Sequence, residues 1–188
     1  MRWLLIAVVC ALSVGRTSAQ DMPLSQVLIE GEGWKEVPRS SAVFRPRLAV
    51  HAPGIEHATY QVYSPLAGTW FIGSSTGKYV WAFRGEKDGS LTAGQPYCSL
   101  RVPRGQSDMP VTALTLDADG RIYASTPLGV QIFDPTGRLC GVLTNPSREP
   151  LIDVNLAGPE GNLLFVADKN NVYVRKVKAR GVNFARGK

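Results

Sequence analysis

The chain has 188 residues, 44% of them hydrophobic and 19% charged, with 21 basic against 15 acidic side chains. That is enough length for one domain with a real core; the positive excess is mild, and for a chain read below as exported no nucleic-acid partner is expected. Beyond the first nineteen residues no apolar run approaches the ~20 residues a membrane-spanning helix needs.

Those first nineteen residues read as an export signal. Arg2 supplies a positive start, residues 3–14 are almost wholly apolar, and Thr17-Ser18-Ala19 offers small residues for cleavage before Gln20. Cleavage there would leave 169 residues with a net charge of about +4 and a periplasmic or secreted location. Much of the remaining basic charge sits near the carboxyl end, from Arg175 onward, and the basic tail over residues 182–188 is read as a solvated end.

Residues 20–58 carry a weaker pattern. Leu28-Ile-Glu-Gly-Glu-Gly-Trp-Lys-Glu-Val37 predicts one strand pair, and Pro38, Pro46 and Pro53 punctuate a loop-rich link after it. His51 and His57 lie in this link without the further ligands a zinc site needs, and are read as surface histidines.

From residue 59 onward helical periodicity is nearly absent. Short β-branched and aromatic runs alternate with turn clusters, which predicts an all-β fold. The predicted strands cover residues 60–63, 69–74, 79–84, 97–102, 113–117, 122–126, 130–134, 139–144, 153–157, 163–168 and 172–178. Asp88-Gly89, Asp119-Gly120, Thr136-Gly137 and Glu160-Gly161 lie between them, with glycine supplying the positive φ of tight turns. Asp117, Asp119 and Asp134 belong to those turns and are read as structural.

The strands repeat as a unit. Phe71, Tyr123 and Phe165 hold the same place in a turn–strand–polar-exit pattern, at intervals of 52 and 42 residues. That spacing matches a β-propeller blade of about 40–50 residues. Three four-stranded blades result, fewer than the four or more of a closed propeller, with a β-sandwich as the competing architecture. An open stack leaves sheet edges and blade faces to be covered by the amino-terminal link or by another copy, so a homo-oligomer is an expected state. Cys98 and Cys140 both sit in apolar strand-like contexts, and buried free thiols and a disulfide both remain open.

Residues 59–181 resemble the SMP-30/gluconolactonase/LRE-like proteins. The resemblance rests on Leu116-Asp-Ala-Asp-Gly-Arg-Ile-Tyr-Ala-Ser-Thr-Pro-Leu-Gly-Val-Gln-Ile-Phe-Asp-Pro-Thr-Gly-Arg-Leu139, on Ala157-Gly-Pro-Glu-Gly-Asn-Leu-Leu-Phe-Val-Ala167, and on Lys78-Tyr-Val-Trp-Ala-Phe83. It implies a partial propeller of the six-bladed type with an irregular amino-terminal segment. It also implies a lactone hydrolase with one Ca²⁺ or Zn²⁺ at the channel mouth, where the metal polarises the carbonyl and a base activates water. The family holds its metal with a Glu, an Asn and an Asp, the Asp also being a candidate base.

Carried onto this chain, the Asp position holds Thr112 and the Asn position holds Thr59, while the Glu has no counterpart. Thr hydroxyls are weak replacements for a carboxylate on a hard cation. Asp153 is the one remaining polar group expected to line the channel. The reading is a binding or interaction module without an intact catalytic or metal set, taking a lactone or sugar as its small-molecule ligand. The alternative is a metal-dependent lactonase with a rearranged site built from Asp108, Asp153 and Glu56.

Overall fold

A computed structural model describes residues 23–41 and 51–182. The predicted export signal and most of the basic tail lie outside the described residues. So does Pro46, while Pro38 and Pro53 lie within them. Among the described residues no helix is long and apolar enough to cross a membrane.

Among the described residues twelve strands form three four-stranded antiparallel sheets. The first sheet contains β2 (Ala58–Ser64), β3 (Thr69–Ser74), β4 (Tyr79–Gly85) and β5 (Leu91–Ser99), paired in chain order. The second contains β6 (Ala113–Leu116), β7 (Ile122–Thr126), β8 (Gly129–Phe133) and β9 (Leu139–Thr144), again in chain order. The third contains β10 (Asp153–Ala157), β11 (Leu163–Ala167) and β12 (Val172–Lys176), with β1 (Lys35–Val37) as its fourth strand beside β12. Neighbouring sheets touch through their first strands, β2 beside β6 and β6 beside β10. These are three propeller blades in a row, as the repeat spacing predicts, and a two-sheet sandwich is ruled out.

The amino-terminal segment departs from expectation. Its two extended pieces do not pair with each other. Leu28 bridges to Val177, and Lys35–Val37 zips against Val174–Val172. The physical reason is that β12 would otherwise present a bare edge, and a strand 137 residues away in sequence covers it. The fourth strand of blade 1 also begins earlier than predicted. It starts at Leu91, directly after the Asp88-Gly89 turn, and carries bulges and a positive φ at Ala93 that mask its strand periodicity.

Strand register fixes which side chains face which blade. Gly73 lies against Val111 and Leu114, so Gly73 and its alternate neighbour Phe71 face blade 2. Leu114 pairs with Ala124, which puts both on the side of blade 2 facing blade 1 and turns Tyr123 towards blade 3. In blade 3, Val154, Leu156, Leu164 and Val166 join the central core, and Phe165 points the other way. Phe71, Tyr123 and Phe165 therefore occupy equivalent places on the leading face of each blade, the face towards the next blade in order. They pair with Val62, Thr115 and Asn155 respectively. The glycine preceding Phe165 sits one residue further away than in the other units, yet the register keeps the aromatic on the same face.

The core lies in the two seams. Phe71, Met109, Val111, Leu114, Leu116, Ile122, Tyr123 and Ile132 are among its buried members, each apolar side chain contributing roughly 1.5–3 kcal/mol. In the first seam Tyr97 stacks on Phe71 at 5.1 Å, and its hydroxyl donates to Pro135 O at 2.5 Å. There too the Gln131 side-chain amide exchanges two hydrogen bonds with the Arg101 backbone. The Cys98 and Cys140 thiols are free, Cys98 fully buried and Cys140 half-buried. Burial, helped by the negative charge of Asp134, pushes the Cys98 thiol up, so it stays a packed apolar group.

Aspartates close the turns as predicted. Asp117 Oδ1 accepts from the amides of Asp119 and Arg121, and Asp134 Oδ1 from those of Thr136 and Arg138. Asp168, buried at the β11–β12 turn, accepts from the amides of Asn170 and Asn171 and from Ser147 Oγ. Burial works to raise both Asp134 and Asp168. Hydrogen bonds, led by Thr136 Oγ1 on one and Ser147 Oγ on the other, outweigh it and hold each below the usual carboxylate range. A carboxyl depressed in the folded state stabilises above its unfolded pKa of about 3.9, and that contribution disappears as pH falls through the folded value. Melting temperature is therefore expected to fall steeply below about pH 4. Asp168→Asn should flatten part of that dependence, and an unchanged acid limb would contradict the assignment.

Candidate functional site

The positions that matter most are Thr59 and Thr112. Tyr60 pairs with Gly73, Ala113 with Ser125 and Asp153 with Ala167. The preceding residues Thr59, Thr112 and Ile152 are thus equivalent in the three blades. The Thr59 hydroxyl donates to the Val111 carbonyl of blade 2. The Thr112 hydroxyl lies 2.9 Å from the Leu151 carbonyl of blade 3 and 3.3 Å from the Ser125 carbonyl of its own blade, both of which can only accept, and 3.0 Å from Ser125 Oγ; the nearer carbonyl is the better placed to take its proton. Val111 and Leu151 each stand one residue before their own equivalent position.

The same bond therefore recurs at both seams. A threonine at the head of one blade's first strand pins the next blade's backbone. Neutral hydrogen bonds of this kind contribute about 1 kcal/mol each. At the third position stands Ile152, whose side chain has no proton to give and packs with Phe165, Ala167 and Val172, while its amide donates to Ala167 O.

Asp153 stands at the head of β10. It is buried on the leading face of blade 3, and its Oδ1 accepts from the Val154 amide at 2.7 Å at the start of β10. Glu56 and Asp108 both border Gly77: Glu56 lines a cleft with it, and Asp108 Oδ1 accepts its amide at 2.6 Å. Asp108 is held low chiefly by the Ser107 hydroxyl, then by that amide. Asp153 does not join them. Among the described residues no three His, Cys, Asp or Glu side chains are grouped to hold a metal ion. The donor set does not fit the Ca²⁺ or Zn²⁺ that the resemblance implies, because the hydroxyls at two of the positions are committed to backbone carbonyls.

Clefts among the described residues include two that Thr59, Thr112 and Asp153 do not line. One, of about 310 Å³, is lined by Glu56, Ser74, Thr76, Lys78, Tyr79 and Trp81, together with Gly54, Ile55 and Gly77. Its shape comes from the tight β3–β4 hairpin. Ser74 Oγ ties that hairpin to the Glu56 carbonyl at 2.7 Å, and Tyr79 and Trp81 meet edge-on at 6.2 Å. Lys78 Nζ lies 5.7 Å from the Tyr79 ring centre. The second, of about 350 Å³, lies between the amino-terminal segment and blade 3, where Arg175 and Lys178 are opposed by Glu30. Aromatic walls with a carboxylate, an ammonium and hydroxyls make the first cleft suited to a small polyhydroxylated molecule. Sequence reasoning missed this grouping because it depends on the hairpin folding back over residues 54–57.

Fold and register together define a row of gluconolactonase-like β-propeller blades. No protein-family model matches the chain. It is 26% identical over 105 residues to a gluconolactonase of Zymomonas mobilis subsp. mobilis, covering 54% of this chain and 29% of that protein. Among solved structures it is similar to a gluconolactonase from Xanthomonas campestris (TM-score 0.55, 21% identity, covering 67% of this chain and 39% of that one). It is likewise similar to a luciferin-regenerating enzyme (TM-score 0.55, 15% identity, covering 68% and 47%). The resemblance to SMP-30/gluconolactonase/LRE-like proteins is borne out. The chain spans less than a third of the curated relative and under half of each solved structure.

Proposed function

We propose that this chain is a binding module on a gluconolactonase-like scaffold, taking a small sugar-like or lactone ligand without hydrolysing it. The observation that carries the reading is the fate of Thr59 and Thr112. Both stand where the resemblance calls for metal-binding Asn and Asp, and both spend their hydroxyl proton on the next blade's backbone. A hydrolytic site needs an electrophile and a base within hydrogen-bond reach of one substrate. Here the carboxylates are dispersed: Glu56 lines the blade 1 cleft, and Asp153 caps a strand in blade 3. The cleft around Glu56, Lys78, Tyr79 and Trp81 supplies the polar and aromatic contacts that sugar recognition uses.

The lactonase alternative draws on the kinship with the Zymomonas mobilis gluconolactonase and on the closeness of Glu56 and Asp108 to Gly77. The two readings separate in one experiment. Glucono-δ-lactone hydrolysis and melting temperature are measured with and without millimolar Ca²⁺ or Zn²⁺. The binding reading expects no rate above the spontaneous one and no metal-dependent rise in melting temperature, since only a ligand of the native state stabilises it. Metal-dependent turnover abolished by Glu56→Gln would establish the lactonase instead.

A further inference from the structure

Two buried guanidinium Nε atoms have no hydrogen-bond partner among the described residues, those of Arg121 and Arg175. Arg121 is accounted for, because its Nη1 is held between the Asp117 and Asp119 carboxylates. Arg175 differs: among the described residues its side chain forms no ion pair and no hydrogen bond. A buried donor left unpaired costs free energy, so this one calls for an acceptor.

The surroundings of Arg175 form a cleft. Arg175 stands in β12 directly across from Leu164, which is fully buried, so the two share the face turned to blade 2. The amino-terminal segment is held against this end of blade 3 by the Leu28–Val177 bridge and by the Lys178 amide, which donates to Val27 O at 2.8 Å. Lys178 Nζ adds a bond to Ser25 O at 2.7 Å. The segment then turns over Ile29–Glu32, where the Glu32 amide reaches Ile29 O and Gly31 takes a φ of 77°. Between segment and blade lies the cleft of about 350 Å³, with Arg175, Lys178 and Glu30 as its charged lining and Leu28 and Ile29 as its apolar part. That volume suits a small molecule.

We propose that this cleft binds a small, singly charged carboxylate that also carries an ammonium or hydroxyl group. A guanidinium presents Nε–H and an adjacent Nη–H along one edge, matched to the two oxygens of a carboxylate. The unpaired Nε of Arg175 therefore marks an edge ready for side-on pairing. Lys178 uses one of its three ammonium protons on Ser25 and adds positive charge at the rim. Glu30 forms no ion pair or hydrogen bond among the described residues, whereas nearby Glu32 is tied to Lys35 at 3.3 Å. The Glu30 carboxylate accepts the ligand's ammonium or hydroxyl and repels further negative charge, which disfavours a phosphate dianion. The site shares no residue with the blade 1 cleft and does not depend on what that cleft binds.

The Nε–H of an arginine gives its own nitrogen–proton correlation, so nuclear magnetic resonance on the isotope-labelled chain reads the unpaired donor directly. Serine, propionate, inorganic phosphate and sodium chloride are titrated at matched ionic strength. One Nε correlation, missing in Arg175→Lys, is expected to shift saturably with millimolar serine. Arg175→Lys keeps the charge and loses the edge, so serine binding, followed at the backbone amides of residues 28–31, should weaken roughly tenfold or more. Propionate should bind more weakly than serine, and Glu30→Gln should remove that difference. Melting temperatures show that each variant is folded, and the wild-type titration stands without either. No saturable shift, or the same shift with sodium chloride, would leave the Nε to solvent and overturn the proposal, as would serine binding unchanged in Arg175→Lys. Phosphate binding more tightly than serine would overturn the assignment of a carboxylate, and propionate binding as tightly as serine would overturn the role of Glu30.

Discussion

Asp117→Ala is expected to cost ~3–5 kcal/mol of unfolding free energy in a urea titration, the loss typical of breaking one partner out of a buried ion pair. Asp117 is 2% exposed and makes four contacts. Its Oδ1 accepts the amides of Asp119 and Arg121, and its Oδ2 accepts Arg121 Nη1 and the Tyr123 hydroxyl, both at 2.9 Å. Removing the carboxylate strands a buried phenol and two turn amides at once and leaves the buried guanidinium with only the exposed Asp119 carboxylate. Arg121 Nε is already buried without a partner, so the guanidinium has little left to lose. Asp119→Ala is the matched control. It also touches Arg121 Nη1, at 2.7 Å, but its side chain is 67% exposed. Its removal should cost about 1 kcal/mol or less, as exposed pairs do. Equal losses for the two variants would mean that the turn, and not the buried pair, carries the energy.

The effect of Asp117 also reaches beyond its own turn. The neighbouring Ala118 amide donates to Arg180 O, and Asp117 bridges to Gly181, so the same turn anchors the chain leaving blade 3 onto blade 2. The Asp-Ala-Asp-Gly run thus reads as a hairpin from sequence and acts as a seam in space. Nothing in residues 117–120 announces that second role, because the partner lies some sixty residues downstream.

What was legible was what is local. Alternation and turn chemistry located eleven of the strands, because each hairpin buries one alternating face and turns on Gly, Asp or Asn. Pairings of high sequence separation were not legible. The union of Lys35–Val37 with β12 leaves no trace in either segment's periodicity, since a three-residue strand is too short to show any. The site divides in the same way. Thr59 and Thr112 could be singled out by position alone, each just before the first strand of its blade. That their hydroxyls pin neighbouring blades required the carbonyls of Val111 and Leu151 to be seen beside them. Asp153 is legible as the head of its strand, and the bond its carboxylate accepts from the following amide is seen only in the fold.

Gly73→Ala should destabilise the chain by ~2 kcal/mol, within the 1–3 kcal/mol usual for overpacking, and the sign matters more than the size. An added Cβ at this residue would stand 2.4 Å from Val111 Cγ1 and 2.8 Å from Val111 Cβ, across the seam between blades 1 and 2. Gly73 has no positive φ to protect, so nothing in its backbone requires glycine. In an isolated sheet, replacing a strand glycine by alanine gains roughly 0.5–1 kcal/mol through reduced unfolded-state freedom. A loss can therefore come only from the blade opposite. Val111→Ala removes the obstructing methyls and leaves a cavity, a loss of its own of about 1–2 kcal/mol on the scale of core truncations. The double variant should cost less than the sum, with a coupling of about 1–2 kcal/mol, because one methyl fills what the other vacates. Strict additivity, or a gain from Gly73→Ala alone, would mean that the blades do not stack at this distance.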